Sequence, residues 1–222
     1  TIGVNQFTLS PETSKHCVQV LRMQEGVNID ITNGVGDIFN ATIQSAHKAN
    51  SLVTIQRHQS IAASKQKITL GISLLKNAVR LEWLFEKATE MGIHQIVPLI
   101  CERTIHERFK MDRMQNIIQS AMIQSQQAWL PSLSEPITLN AFMQQQKASV
   151  NLIAHCEPSD KKNIKEIVAL DDVNLLIGPE GDFSSSEIAT AISNNYTPIQ
   201  LGPTRLRTET AGIFALSVLK IF

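Results

Sequence analysis

A chain of 222 residues, 43% apolar and 18% charged, has room for one large domain or for a small domain joined to a medium one. No apolar run reaches the roughly 18 residues that a membrane span needs, and no signal peptide is visible. A formal net charge of zero removes the whole-chain basic signature of a nucleic-acid binder. The distribution is mildly uneven: residues 1–110 carry 12 Lys/Arg against 9 Asp/Glu, and residues 111–222 carry 8 against 11. Cys17, Cys101 and Cys156 are odd in number, far apart and without C-x-x-C spacing. That pattern speaks against a disulfide framework or a zinc site and for a reducing, cytoplasmic setting. The chain begins at Thr1 rather than Met, so further N-terminal residues are expected.

Residues 1–66 read as a small β-rich domain. "SPETSKHCVQVL" (10–21) is a helix start, with Ser10 as N-cap and Pro11 at the first helical position, and its stop is expected near Gly26. "VNIDIT" (27–32), "DIFNATIQSA" (37–46) and "SLVTIQRH" (51–58) alternate and are rich in Ile, Val and Thr, which predicts strands. "NGVGD" between the first two is a turn signal. Short strands with one helix suggest a small barrel, and "SIAASKQK" (60–67) reads as a linker.

From residue 67 the period changes. "ITLGISLL" (68–75) is a buried-strand candidate. A helix over 80–92 places Leu81, Leu84, Phe85, Ala88 and Met91 on one face and closes at Gly92. A strand at 94–100 follows. Helical spacing then runs through 112–131, with Trp129 inside it as Trp83 is inside the previous helix. A short helix near 138–147 and a strand at 150–156 come next. Helices at 160–169, 184–194 and 209–220 alternate with strands at 173–178 and 197–202. Strand alternating with helix predicts an α/β domain with a mostly parallel sheet covered on both faces.

Ligands of open α/β sheets sit beyond the carboxyl ends of the strands. Three such ends stand out: "AHCEPS" (154–159), "GPEGDF" (178–183) and "GPTRLRTETAG" (202–212). In the second, Gly178 and Gly181 let backbone approach a ligand, Pro179 stiffens the loop, and Ser184 with Glu187 forms a capping box. The pattern is neither G-x-G-x-x-G nor a P-loop, so dinucleotide and triphosphate readings lose their support. Alone, such a strand–GPEG–helix turn is equally a plain tight turn. The third segment places Arg205 and Arg207 just before a helix N-terminus, where cations are locally unfavourable. A local rule broken in this way marks a candidate site for binding an anion or stabilising developing negative charge. His155 and Cys156 are adjacent, so on a strand they face opposite ways and cannot form a catalytic pair; His155 is the one expected to line the site. No serine-hydrolase elbow and no metal-ligand spacing is present.

"LLIGPEGDFSSSEI" (175–188) together with "LGPTRLRTETAGIFAL" (201–216) resembles the SPOUT-class RNA methyltransferases, and more closely the ribosomal RNA small subunit methyltransferase E family. The likeness covers nearly the whole chain. Residues 16–43 resemble that family's N-terminal PUA-like barrel, and 86–104 its Lys-x-x-E-L-G-V segment, with Met91 where Leu is usual. The resemblance implies a PUA-like β-barrel RNA-binding domain over 1–66 and a SPOUT methyltransferase domain over 67–222, the latter with a parallel sheet and a trefoil knot, a rare exception to the unknotted rule. It further implies a cytoplasmic homodimer that uses S-adenosyl-L-methionine (SAM) to methylate N3 of one uridine in the 16S rRNA of the small ribosomal subunit. Two departures stand out. Asp182 follows Gly181 where many members have a second glycine, and Gln127 stands where relatives often carry an arginine.

On this resemblance the backbone of Gly178, Glu180, Gly181, Leu201, Gly202 and Leu206, with Thr208, is expected to cradle the cofactor, and His155 and Ile177 to line the pocket wall. Uracil N3 must lose its proton for attack. Arg207 is the expected stabiliser of the uracil anion, since a guanidinium stays charged and offers a planar fork to O2 or O4. Glu209 is expected either to act as the base or to orient Arg207. Rival readings are a SPOUT enzyme acting on a ribose 2′-hydroxyl or another base, and a non-catalytic RNA-binding assembly factor.

Overall fold

The computed structural model describes residues 6–167 and 172–220. The chain divides into two compact units, Thr1–Ala63 and Ser64–Phe222.

In the first unit β1 (Gln6–Thr8), β2 (Asn28–Thr32), β3 (Asp37–Ser45) and β4 (Leu52–Ser60) form an antiparallel sheet in the order β1-β4-β3-β2. Helix α1 (Pro11–Lys15) starts where expected: Ser10 Oγ accepts the Thr13 N–H at 3.1 Å and Pro11 stands in the first turn. The helix continues as a π-helical turn over His16–Val20 and ends there, short of Gly26. Leu9 and Cys17 are buried with Ile29, Ala41, Ile43 and Val53, so the helical segment packs against the sheet. The β2–β3 turn is built on Asn33, whose Oδ1 accepts the N–H groups of Val35 (3.0 Å) and Asp37 (3.1 Å).

The second unit runs β5 (Ile68–Ser73), α2 (Ala78–Glu90), β6 (Gln95–Ile100), α3 (Met111–Gln124), β7 (Ser132–Leu133), β8 (Ile137–Thr138), α4 (Leu139–Gln145) and β9 (Val150–Ala154). It continues through β10 (Lys162–Asn163), β11 (Val173–Ile177), α5 (Ser185–Ser193), β12 (Thr197–Gln200) and α6 (Thr208–Lys220). The sheet is parallel throughout its described pairs, in the order β10-β12-β9-β11-β5-β6-β7, with β8 also on β6. The central strands β5 and β11 are buried at every residue, polar Thr69, Ser73 and Asn174 included, which explains their largely apolar sequences. Alternate residues feed two cores. Leu175 and Ile177 pack with Leu84 and Phe85 of α2 and Leu216 of α6; Leu176 packs with Phe142 of α4 and Ile188 of α5. Among the described residues, no helix is long and apolar enough to cross a membrane.

Two expectations are corrected. The helix over 112–131 ends at Gln124, because Gln126 adopts φ +56 and turns the chain. Gln127 Nε2 then donates to the carbonyls of Thr89 (2.8 Å) and Glu90 (2.9 Å), closing the C-terminus of α2. Trp129 therefore lies outside any helix. The helix over 160–169 is instead strand β10 and a 3₁₀ turn over Ile164–Glu166, and its last residues fall outside the described residues. Lys162 and Asn163 pair in parallel with Ile199 and Gln200 at the sheet edge, which leaves only the short turn over Ile164–Glu166, with Ile164 buried, in place of a helix.

Candidate active site

Strand order places β12, β9 and β11 side by side and parallel, so the three suspicious strand ends emerge together. They enclose a cavity of about 660 Å³. Its wall includes His155 after β9; Ile177, Gly178 and Glu180 after β11; and Leu201, Gly202, Leu206, Arg207 and Thr208 between β12 and α6. Nine of the eleven residues singled out from the sequence thus meet around one space. Gly181 and Glu209 do not line it. Gly181 faces Arg103, whose Nη1 donates to the Gly181 carbonyl at 2.9 Å. Glu209 is buried in the first turn of α6, with Oε1 3.6 Å from Arg80 Nε on α2 and Oε2 without a partner. The structure pairs Glu209 with Arg80 and not with Arg207.

The GPEG loop is held from several sides. Ser184 and Glu187 form the expected capping box, and Glu187 Oε1 also accepts the Glu102 N–H at 2.8 Å. Glu180 Oε1 accepts the Lys76 N–H at 3.1 Å. The reason for Gly178 differs from the expected one. A Cβ there would lie 3.0 Å from both the ring and the backbone nitrogen of Phe183, so the glycine serves the loop's own packing. Gly202 matches the expected reason better: its φ is +153, and an added Cβ would meet nothing within 4 Å. Asp182 adopts φ +67, the left-handed conformation that glycine takes most readily. Its Oδ2 accepts the Cys156 N–H at 2.7 Å and its Oδ1 the Phe183 N–H at 2.9 Å.

The chemistry of the wall is mixed. His155 is 7% exposed, and neither ring nitrogen has a partner. Burial, followed by the nearby Lys161 ammonium, holds its imidazole below the ordinary histidine range. Arg205 and Arg207 are exposed and, among the described residues, form no side-chain hydrogen bond or ion pair. Cys156 is a free, exposed thiol at the rim. Sequence reasoning missed Arg80, Arg103 and Lys161. The partners of Arg80 and Arg103 lie far along the chain, whereas Lys161 reaches back six residues to the His155 carbonyl, and no motif marks either case.

A parallel α/β sheet with a glycine-lined cavity at its strand ends, and arginines at the mouth that have no side-chain partner among the described residues, defines an α/β domain with a ligand site suited to an anionic group. Residues 62–220 match the model of the RNA methyltransferase domain, and residues 9–56 that of the RNA methyltransferase PUA domain. A methyltransferase from Legionella pneumophila, solved with bound SAM, is 35% identical over 97% of this chain and 91% of its own, with a TM-score of 0.87. The ribosomal RNA small subunit methyltransferase E of Neisseria gonorrhoeae, also solved with SAM, is 26% identical over 97% of this chain and 91% of its own, with a TM-score of 0.88. The Bacillus subtilis protein of that name is 26% identical over 96% of this chain and 89% of its own. The chain belongs to the RNA methyltransferase family, in its ribosomal RNA small subunit methyltransferase E branch.

Proposed function

We propose that the protein transfers the methyl group of SAM to N3 of a uridine in the 16S rRNA of the small ribosomal subunit. The observation that carries the reading is Arg207, an exposed guanidinium without a side-chain partner among the described residues, on the wall of a cavity built from three adjacent strand ends. The residues fit the cofactor. A buried imidazole with both nitrogens unpaired needs a ligand, and the open side of Gly202 leaves room for one. His155, Ile177, Gly178, Glu180, Leu201, Gly202, Leu206 and Thr208 would hold SAM, which supplies an electrophilic methyl on a sulfonium.

Arg207 offers its fork to the negative charge that develops on uracil as N3 loses its proton. The loop ties to Lys76, Glu102 and Arg103 keep the cavity wall fixed while the base is presented. Glu209 acts through Arg80, holding α2 against the start of α6, and Gly181 serves as the acceptor for Arg103. The target base has to leave its stack to reach the cavity. We read the functional unit as a cytoplasmic homodimer whose catalytic domain (67–222) is knotted and whose 1–66 domain holds RNA. The family resemblance and three unbridged cysteines support this, as do Val79 and Trp83, exposed one helical turn apart on α2.

Primer extension on 16S rRNA from cells lacking the protein tests the reading, since methylation at N3 blocks base pairing. One strong stop should vanish and return on complementation. An unchanged pattern, or a ribose 2′-methyl found by mass spectrometry of the product, would overturn the N3 assignment.

A further inference from the structure

We propose that Asp182 and Lys161 clamp a single peptide group, the one joining His155 to Cys156, and thereby set the His155 imidazole in the cavity as a positioning pair for SAM. The inference rests on the reading of this cavity as the SAM site.

Lys161 Nζ donates to the His155 carbonyl at 2.8 Å, and Asp182 Oδ2 accepts the Cys156 N–H at 2.7 Å. That carbonyl and that N–H belong to the same planar peptide unit. A cation therefore sits at its negative end and an anion at its positive end. Both bonds are charge-assisted, and each strengthens the other through the peptide dipole. A fixed peptide plane fixes the direction in which His155 leaves the backbone. Its ring is 7% exposed, with both nitrogens unpartnered on the cavity wall. Asp182 and Lys161 line the same cavity.

Ordinary loop closure does not account for Asp182. Closing the turn into Phe183 takes only Oδ1, at 2.9 Å. The second oxygen reaches from the β11–α5 loop to the end of β9, and the residue holds φ +67 to do so. A glycine would satisfy that backbone better but supplies no carboxylate.

The test uses the full chain and three readouts: SAM affinity by calorimetry, hydrogen exchange at the Cys156 amide, and melting temperature. Asp182→Gly keeps the permitted backbone and removes the clamp. It should raise the SAM Kd by about ten-fold or more and speed exchange at Cys156, with the fold retained. Asp182→Asn, which keeps one acceptor oxygen, should recover part of the affinity, and Lys161→Met should weaken it in the same direction. His155→Ala should also weaken binding, and adding Asp182→Gly to it should cost little more, because the clamp acts through that ring. A SAM Kd within about two-fold of wild type in Asp182→Gly, or full additivity with His155→Ala, would overturn the proposal. Unchanged Cys156 exchange would overturn it as well. A wild-type chain that does not bind SAM would instead refute the cavity assignment, while Cys156 exchange in the free protein would still report whether the clamp exists.

Discussion

The Arg80–Glu209 pair offers the sharpest test of how the start of α6 is held. Glu209 sits in a side-chain environment only 10% exposed, with one oxygen 3.6 Å from Arg80 Nε and the other unpartnered. At an effective dielectric constant near 20, two unit charges at 3.6 Å attract by about 4–5 kcal/mol. Arg80 is 37% exposed, so solvent screens part of that attraction. Removing it still leaves a buried carboxylate without a cation, and the net loss expected for Arg80→Ala is about 2 kcal/mol. In a domain of this size that lowers Tm by about 4–8 °C. Glu209→Gln should lose less, because the charge leaves with its partner's need for it. In the double variant the Arg80 effect should shrink to a few tenths of its value, giving a coupling of about 1–2 kcal/mol. Denaturant melts of the four proteins, followed by near-ultraviolet circular dichroism, measure the cycle. Independent effects would refute the pairing. A Glu209→Gln protein with unchanged Tm and no methyl transfer would restore that residue to the chemistry.

Arg207→Ala should leave stability within about 0.5 kcal/mol, since the side chain is exposed and unpaired. Methyl transfer to purified small subunits should fall by about 10²–10³; activity within about ten-fold of wild type would remove Arg207 from the reaction. The two glycines should separate. Gly178→Ala drives a methyl against Phe183 and should cost about 1–3 kcal/mol in a thermal melt. Gly202→Ala meets no neighbouring atom but strains a backbone held at φ +153, so its stability cost should come from the backbone rather than from a clash, and calorimetry should show weakened SAM binding as well. Acid should weaken the second unit before carboxylates titrate. Burial, with neighbouring lysines, depresses both His155 and His94, so the unfolded chain binds more protons than the folded one below the ordinary histidine value of about 6.5. Stability is then complete above about pH 6.5 and lost as pH falls through the folded values, and a Tm that stays flat or rises on acidification toward pH 5 would contradict it.

The architecture was legible because its signals are local. Runs such as 68–73 and 173–177 are mostly apolar, as a strand buried on both faces needs. Ser184 and Glu187 announced the helix they cap, and Ser10 with Pro11 did the same. The errors came where a local pattern met a distant competitor. Apolar spacing continued past Gln124, but Gln127 was needed by the carbonyls of Thr89 and Glu90. Gln127, where relatives often carry an arginine, bears in this chain on the closing of α2. At 160–167 the helical spacing of Ile164 and Ile167 met an open sheet edge, which took Lys162 and Asn163 into a strand.

The site divides along the same line. Glycine loops and arginines beside a helix start are read from neighbours in sequence, which is why nine of the eleven chosen residues share one cavity. Partner choice is not read that way. Nothing near Glu209 in the chain points to Arg80, and the adjacency of Arg207 suggested a pairing that the helix geometry does not make. Asp182 lies between the two cases. A non-glycine in a glycine-rich turn hints at a positive φ, and hence at a side chain whose strain is offset by its contacts. Which contacts they are depends on β9 and β11 being neighbours in the sheet, and that fact belongs to the fold. The aspartate that stands in place of a second glycine is therefore a tie between two cavity loops, present only because the strand order brings them side by side.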